Sequence, residues 1–153
     1  MKIEERVQAK FSSEQQKVII NLRITSNVIA ACHQQFMDRF DLTTPQFNIL
    51  RILRGAKGPI NVNAVKDRMI ERSPNTTRLM DKLIDKGLIE RIRCEQDRRV
   101  VYLNISDLGQ ALLTQIDETP DFSHLTHPMI SDEEAAQLSD LLDKLRDTYE
   151  CLA

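Results

Sequence analysis

The apolar positions fall into long amphipathic stretches at both ends of the chain, with short, sharply capped elements between them. From Ser12 to Phe40, the residues Val18, Leu22, Thr25, Ile29, Cys32 and Phe36 recur at alternating spacings of four and three, one face of a helix. Ile20, Ile24, Val28 and Ala31 form a second stripe beside it. One stripe can bury against the chain's own core, whereas two ask for another partner. The simplest is a copy of the same helix in a symmetric dimer; the alternative is one broad core-facing stripe in a monomer.

The middle of the chain is punctuated by helix starts and stops. Thr43 can cap a second helix, with Pro45 in its first turn and Gln46 completing a capping box. Phe47, Leu50, Ile52 and Leu53 form its apolar side, and the stretch from Gly55 to Gly58 ends it. Pro59 and Ile60 leave room for a short extended piece. A third helix starts at Asn61 or Asn63, with Val62, Val65 and Met69 inward. Ser73 and Pro74 then open a fourth as cap and first helical residue, and Gly87 stops it. Its inner side is Thr76, Leu79, Met80 and Leu83, which leaves Asn75, Thr77, Arg78, Asp81 and Lys82 outward. Residues 61–87 therefore read as a helix-turn-helix. Two β-branched, alternating strands follow, Leu88 to Arg93 and Val100 to Asn104, joined by the polar loop 94–99. That hairpin is a wing.

Ser106 begins a fifth helix carrying Leu108, Leu112 and Ile116, which Pro120 breaks. Asp121 to Ile130 reads as an irregular connection with a second proline, Pro128. A capping box of Ser131 and Glu134 opens a last helix with Leu138, Leu141, Leu142, Leu145, Tyr149 and Leu152 inward. The expected fold is mainly α, about six helices, with a small β-hairpin wing. It forms one domain over residues 1–153, in which a winged helix-turn-helix lobe over 43–105 joins a dimerisation layer from 12–40 and 106–153.

Composition narrows the class. Of 153 residues 41% are hydrophobic and 29% charged, ordinary for a globular domain. No apolar run has the length of a membrane span or the form of a signal peptide, and Cys32, Cys94 and Cys151 outline no disulfide framework, so a cytoplasmic location is expected. The net charge of −2 hides an asymmetry: residues 66–99 carry ten basic and seven acidic side chains, whereas the rest is acidic on balance. A basic centre between acidic ends suits a protein that meets phosphates with its middle.

Taken in order, segments of this chain together resemble the MarR family of regulators. Leu42-Thr43-Thr44-Pro45-Gln46-Phe47 is similar to the family's second-helix opening. Ser73 through Thr77-Arg78-Leu79, then Leu83 and Lys86-Gly87-Leu88-Ile89-Glu90-Arg91, resembles its recognition helix and wing entry. Asp97-Arg98-Arg99 and Ile105-Ser106-Asp107-Leu108-Gly109 resemble the wing tip and return. The resemblance, over residues 12–116, implies a homodimer that regulates transcription by binding a pseudo-palindromic site on double-stranded DNA, acting as a repressor released by a small-molecule effector. It implies no catalysis and no cofactor.

Site residues follow. Short polar side chains near the start of a recognition helix suit base edges in the major groove, which fits Asn75 and Thr77. Arg78 can read guanine or clamp a phosphate, the helix start at Ser73 offers free N–H groups, and Lys82 suits a backbone contact. In the resemblance Arg99, third residue of the Asp-x-Arg pattern, reaches the minor groove, Asp97 orients the arginines, and Arg93 and Arg98 add phosphate contacts. Carried over by position, an effector pocket would take walls from His33, Phe36, Met37, Phe47 and Arg51, residues that at helical spacing also fit plain core.

Other chemistry is thin. Cys32 lies on an apolar stripe, which predicts an inert buried thiol, and about three turns before Leu42 it does not match the family's peroxide-sensing position. Cys94, between Arg93 and Glu95, is the cysteine open to a redox role. His124 and His127 could share a metal, but no further ligand stands nearby and no metal site is expected. No glycine-rich phosphate loop or nucleophile elbow is present, which argues against an enzyme. A winged helix used as a protein-interaction module remains the alternative; it calls for an apolar or acidic outer face on the fourth helix.

Overall fold

A computed structural model of the chain describes residues 1–8, 10–71, 74–93, 100–127 and 129–151. Within them the chain runs α1 (Ile3–Val7), α2 (Glu14–Asp38), α3 (Thr44–Ala56), β1 (Ile60–Asn61), α4 (Val62–Arg68), α5 (Thr76–Asp85), β2 (Ile89–Arg93), β3 (Val101–Ile105), α6 (Asp107–Asp117), α7 (Pro120–Thr126) and α8 (Asp132–Glu150). The winged helix-turn-helix is present. α4 and α5 form the helix pair, and β3 lies between β1 and β2 in a three-stranded antiparallel sheet.

Local chemistry explains most boundaries. Ser13 caps α2, and Thr43 and Gln46 close a reciprocal capping box on α3 with Pro45 in its first turn. Asn61, not Asn63, caps α4. The core gathers Ile49, Leu50 and Leu53 of α3, Val65 of α4, Met80 and Leu83 of α5, Ile89 and Leu103 of the sheet, and Leu113 and Ile116 of α6. Ile49, absent from the expected apolar side of α3, is fully buried.

Five expectations are corrected. The first turn of α5 begins two residues late: Pro74 lies in a turn and Asn75 takes the N-cap position, while Ser73 lies outside the described residues. On α6 the inward residues are Gly109, Leu113 and Ile116, and Leu108 is exposed. The segment after Pro120 is helical, because a proline in the first turn starts a helix as readily as it breaks one. Its Phe122 and Leu125 pack against the core. The apolar stripe of α8 does not face the chain's own core: Leu138, Leu141 and Tyr149 are exposed, Leu142 and Leu145 are half-buried, and Leu152 lies outside the described residues. Cys32 is likewise exposed, because along α2 only Phe36 and Met37 are buried. The sequence reading also passed over α1, whose Ile3 is buried and whose Glu4 meets Lys17 of α2 at 2.5 Å.

The rotation of α6 has one cause. A Cβ on Gly109 would stand 2.2 Å from the Leu88 carbonyl oxygen and 2.8 Å from Ile105 Cγ1, so only glycine lets the helix approach the start of β2 this closely. In most helix interiors alanine is preferred to glycine. Here the order reverses: Gly109→Ala is expected to cost about 1–3 kcal/mol through overpacking against backbone. A thermal melt should show a midpoint lowered by roughly 5 °C, and an unchanged or raised midpoint would contradict the contact.

Candidate nucleic-acid interface

The exposed face of α5 is set by the burial of the opposite one. Thr76, Met80 and Leu83 are buried and Leu79 is half-buried, so Asn75, Thr77, Arg78, Asp81 and Lys82 are left on the surface. The turn ahead of the helix is tied to α3, where the Ile70 N–H donates to Asn48 Oδ1 at 3.0 Å.

Ion pairs then divide the basic residues into two groups. Arg91 on β2 pairs with Asp81 at 2.6 Å, and Lys86 at the end of α5 pairs with Asp41 at 2.7 Å. Arg51 and Arg54 both hold Asp117, at 3.0 and 2.8 Å. Among the described residues Arg78, Lys82 and Arg93 have no acidic partner, and all three are exposed. Arg91 answers Asp81, so the outer face of α5 sets Arg78 and Lys82 against a single remaining carboxylate, the exposed Asp85, and keeps a positive balance. Arg93 stands at the end of β2, opposite Val101 across the hairpin. Ser73, Cys94, Asp97, Arg98 and Arg99 lie outside the described residues.

Of the five residues expected around an effector, Phe36 and Phe47 meet a common ring from α7, His33 meets the same helix, and Arg51 lies over Phe47. Phe36 and Met37 are buried, Phe47 and His33 half-buried, and Arg51 exposed with its guanidinium 5.9 Å from the Phe47 ring centre. Phe122 of α7 lies between them, its ring centre 5.7 Å from that of Phe36 and 5.9 Å from that of Phe47. The Leu125 carbonyl is 3.4 Å from His33 Nε2, and Asp121 pairs with Arg39 at 2.9 Å. Sequence reasoning missed α7 as a wall; its available signal was Phe122 and Leu125 spaced three apart after a proline helix start.

His124 and His127 are exposed on α7 and just beyond it, and His127 Nδ1 lies 2.9 Å from Thr126 Oγ1. Among the described residues no group of three or more histidines, cysteines or carboxylates could hold a metal ion. Nor is any helix of the described residues long and apolar enough to cross a membrane.

Comparison with known proteins gives this geometry its setting. Residues 42–101 match the model of the MarR family, a span that includes α3, α4, α5 and the strands β1 and β2. The HTH-type transcriptional regulator YpoP of Bacillus subtilis is 30% identical over 106 residues, covering 69% of this chain and 74% of that one. The chain belongs to the MarR family. The HTH-type transcriptional regulator MgrA of Staphylococcus aureus is 27% identical over 107 residues, 70% of this chain and 71% of that one. Among solved structures, a variant of Escherichia coli MarR complexed with operator DNA superimposes with a TM-score of 0.73 at 23% identity, covering 90% of this chain and 99% of that one. The chain is thus a MarR-family transcriptional regulator with a winged helix-turn-helix fold.

The division of charges makes a quantitative prediction for this MarR-family chain. Lys82→Ala should weaken binding to all duplexes alike and reduce the slope of log affinity against log salt by about one. Asn75→Ala should instead relax base preference with little change in slope. Titrations of each variant against two unrelated duplexes at several salt concentrations separate the two effects, and an unchanged slope for Lys82→Ala would remove it from the phosphate contacts.

Proposed function

We propose that the chain is a homodimeric, sequence-specific binder of double-stranded DNA that represses transcription and is released by a small effector. The observation that carries this reading is the outer face of α5, polar to basic over Asn75, Thr77, Arg78 and Lys82 while the inner face is sealed into the core. Asn75 and Thr77 would meet base edges, Arg78 a guanine or a phosphate, and Lys82 and Arg93 the backbone. Arg99 would reach the minor groove, as the family resemblance implies, with a phosphate contact from Arg98 and an orienting carboxylate in Asp97; the free N–H groups expected at Ser73 belong instead to the helix start at Thr76.

The dimer is supported by what the single chain leaves uncovered. α8 is a helix of 19 residues with none buried, whereas helices in proteins draw most of their stability from packing an amphipathic face. On α2, Val18, Val28 and Ile29 are exposed as well. Between α2 and α8 runs a groove of about 620 Å³ lined by Ile19, Leu22, Leu142, Leu145 and Tyr149, with Arg23 and Arg146 also on its walls. Symmetric pairing of these helices would bury both stripes at once.

Effector release is supported by the packing of Phe36 and Phe47 against Phe122, with His33 on the Leu125 carbonyl of the same helix and Arg51 over the Phe47 ring. A small apolar or aromatic molecule would enter by displacing the Phe122 ring, which belongs to a short helix tethered by the exposed Arg39–Asp121 pair.

Selection of bound duplexes from a random pool tests the main reading. An inverted repeat with half-sites about one helical turn apart is the expected outcome. A folded dimer that enriches nothing would count against sequence-specific binding. Leu141→Glu, a charge placed on the exposed stripe of α8, should shift the sedimentation mass from dimer to monomer. A wild-type mass retained by this variant would exclude Leu141 from the interface.

A further inference from the structure

The helix α2 ends with a residue in the left-handed region. The Leu42 N–H donates to the Met37 carbonyl at 3.2 Å, and Asp41 between them has φ +53°. The helix α5 ends the same way, with the Leu88 N–H on the Leu83 carbonyl at 3.0 Å and Gly87 at φ +68°. At Gly87 the residue is the default one, because a Cβ is sterically disfavoured there. At Asp41 the same backbone is held by an aspartate, one of the few other residues that tolerates it.

The two helix ends are joined through that aspartate. Lys86, which caps α5, donates from Nζ to the Asp41 carboxylate at 2.7 Å and also to the Asp41 main-chain carbonyl. Asp41 itself sits on a stiff corner. Gln34 of α2 donates to the Leu42 carbonyl at 3.1 Å and accepts from the Thr44 N–H at 3.0 Å, and the Thr43–Gln46 capping box follows at once. The charge-assisted bond from Lys86 holds the Asp41 carboxyl below the usual carboxylate range. The bridge therefore stays ionised at neutral pH and is lost only as the pH falls through that lowered value.

We propose that Asp41 is a positioning residue for DNA binding, which through Lys86 sets where the end of the recognition helix α5 stands relative to α2. The proposal rests on the dimeric, DNA-binding reading above. With α2 in the dimer layer, this bridge would help set the separation and tilt of the two recognition helices, and so the half-site spacing that the dimer accepts.

Coulomb's law and this geometry make opposite predictions. Asp41 is an anion in a lobe that meets phosphates, so its removal by charge alone should tighten binding to any duplex. A positioning role requires the reverse for the specific site. The experiment uses the full chain and the duplex enriched from the random pool, with binding followed by fluorescence anisotropy at one salt concentration. Wild type, Asp41→Asn, Lys86→Met and the double variant are compared. Asparagine accepts the left-handed backbone, so the fold is kept, and a thermal melt checks that it is.

Asp41→Asn should lower affinity for the selected duplex about two- to fivefold, the range set by an exposed ion pair. Its affinity for an unrelated duplex should not fall. Inserting one base pair between the half-sites should cost the variant less than it costs the wild type, a change that loss of general stability would not produce. In the Lys86→Met background, Asp41→Asn should bring no further loss. Binding of Asp41→Asn that equals or exceeds wild type, with unchanged spacing preference, overturns the proposal. A wild-type chain that binds no duplex overturns the underlying reading instead, before any variant is compared.

Discussion

Four elements meet at the main chain of Gly87 and Leu88, and the arrangement of the lobe depends on that junction. The Leu88 N–H closes α5 on the Leu83 carbonyl at 3.0 Å, and its carbonyl accepts from the Ser106 N–H at 3.1 Å, where β3 gives way to α6. The Ser106 hydroxyl donates to the Gly87 carbonyl at 2.6 Å and accepts from the Gly109 N–H at 3.1 Å. Ile89 opens the sheet opposite Ile105. Two glycines make this possible for different reasons. Gly87 supplies a positive φ and Gly109 supplies missing volume. The end of α5, the root of the wing and the start of α6 are thereby fixed to one another.

Away from that junction the molecule changes character. Around α3, α4, α5 and the sheet, nearly every large apolar side chain is covered, whereas α2 and α8 carry apolar stripes that the chain itself does not cover. Apolar surface of this extent on long helices is an interaction surface in waiting. The same chain thus has a lobe complete in itself and a pair of helices that are not.

Charge is divided in a similar way. Asp117, Asp81 and Asp41 each engage basic side chains of a neighbouring element and so fasten α6 to α3, α5 to β2, and α5 to the corner after α2. Exposed pairs of this kind add little stability one by one. They link neighbouring elements, and they separate cations that are already paired from those still available to an anionic partner. A net charge of −2 conceals this, because the count does not distinguish paired from unpaired groups.

By itself the sequence determined what local chemistry can determine. The capping boxes at Thr43 and Ser131, the inner and outer faces of α5, and the hairpin follow from spacing, capping side chains and the pleat, all of which act within a few residues. The resemblance to the MarR family was legible for the same reason, since its pieces are short and lie in order. Tertiary structure decided the rest. Leu108 faces out because Gly109 must face in, and Phe122 fills the space beside Phe36 and Phe47 on a helix whose starting proline reads equally well as a break. Which cations are paired and which helix stripe stays bare were likewise decided there. These outcomes depend on contacts between residues far apart in the chain, and periodicity says only that a face is apolar, not what will cover it.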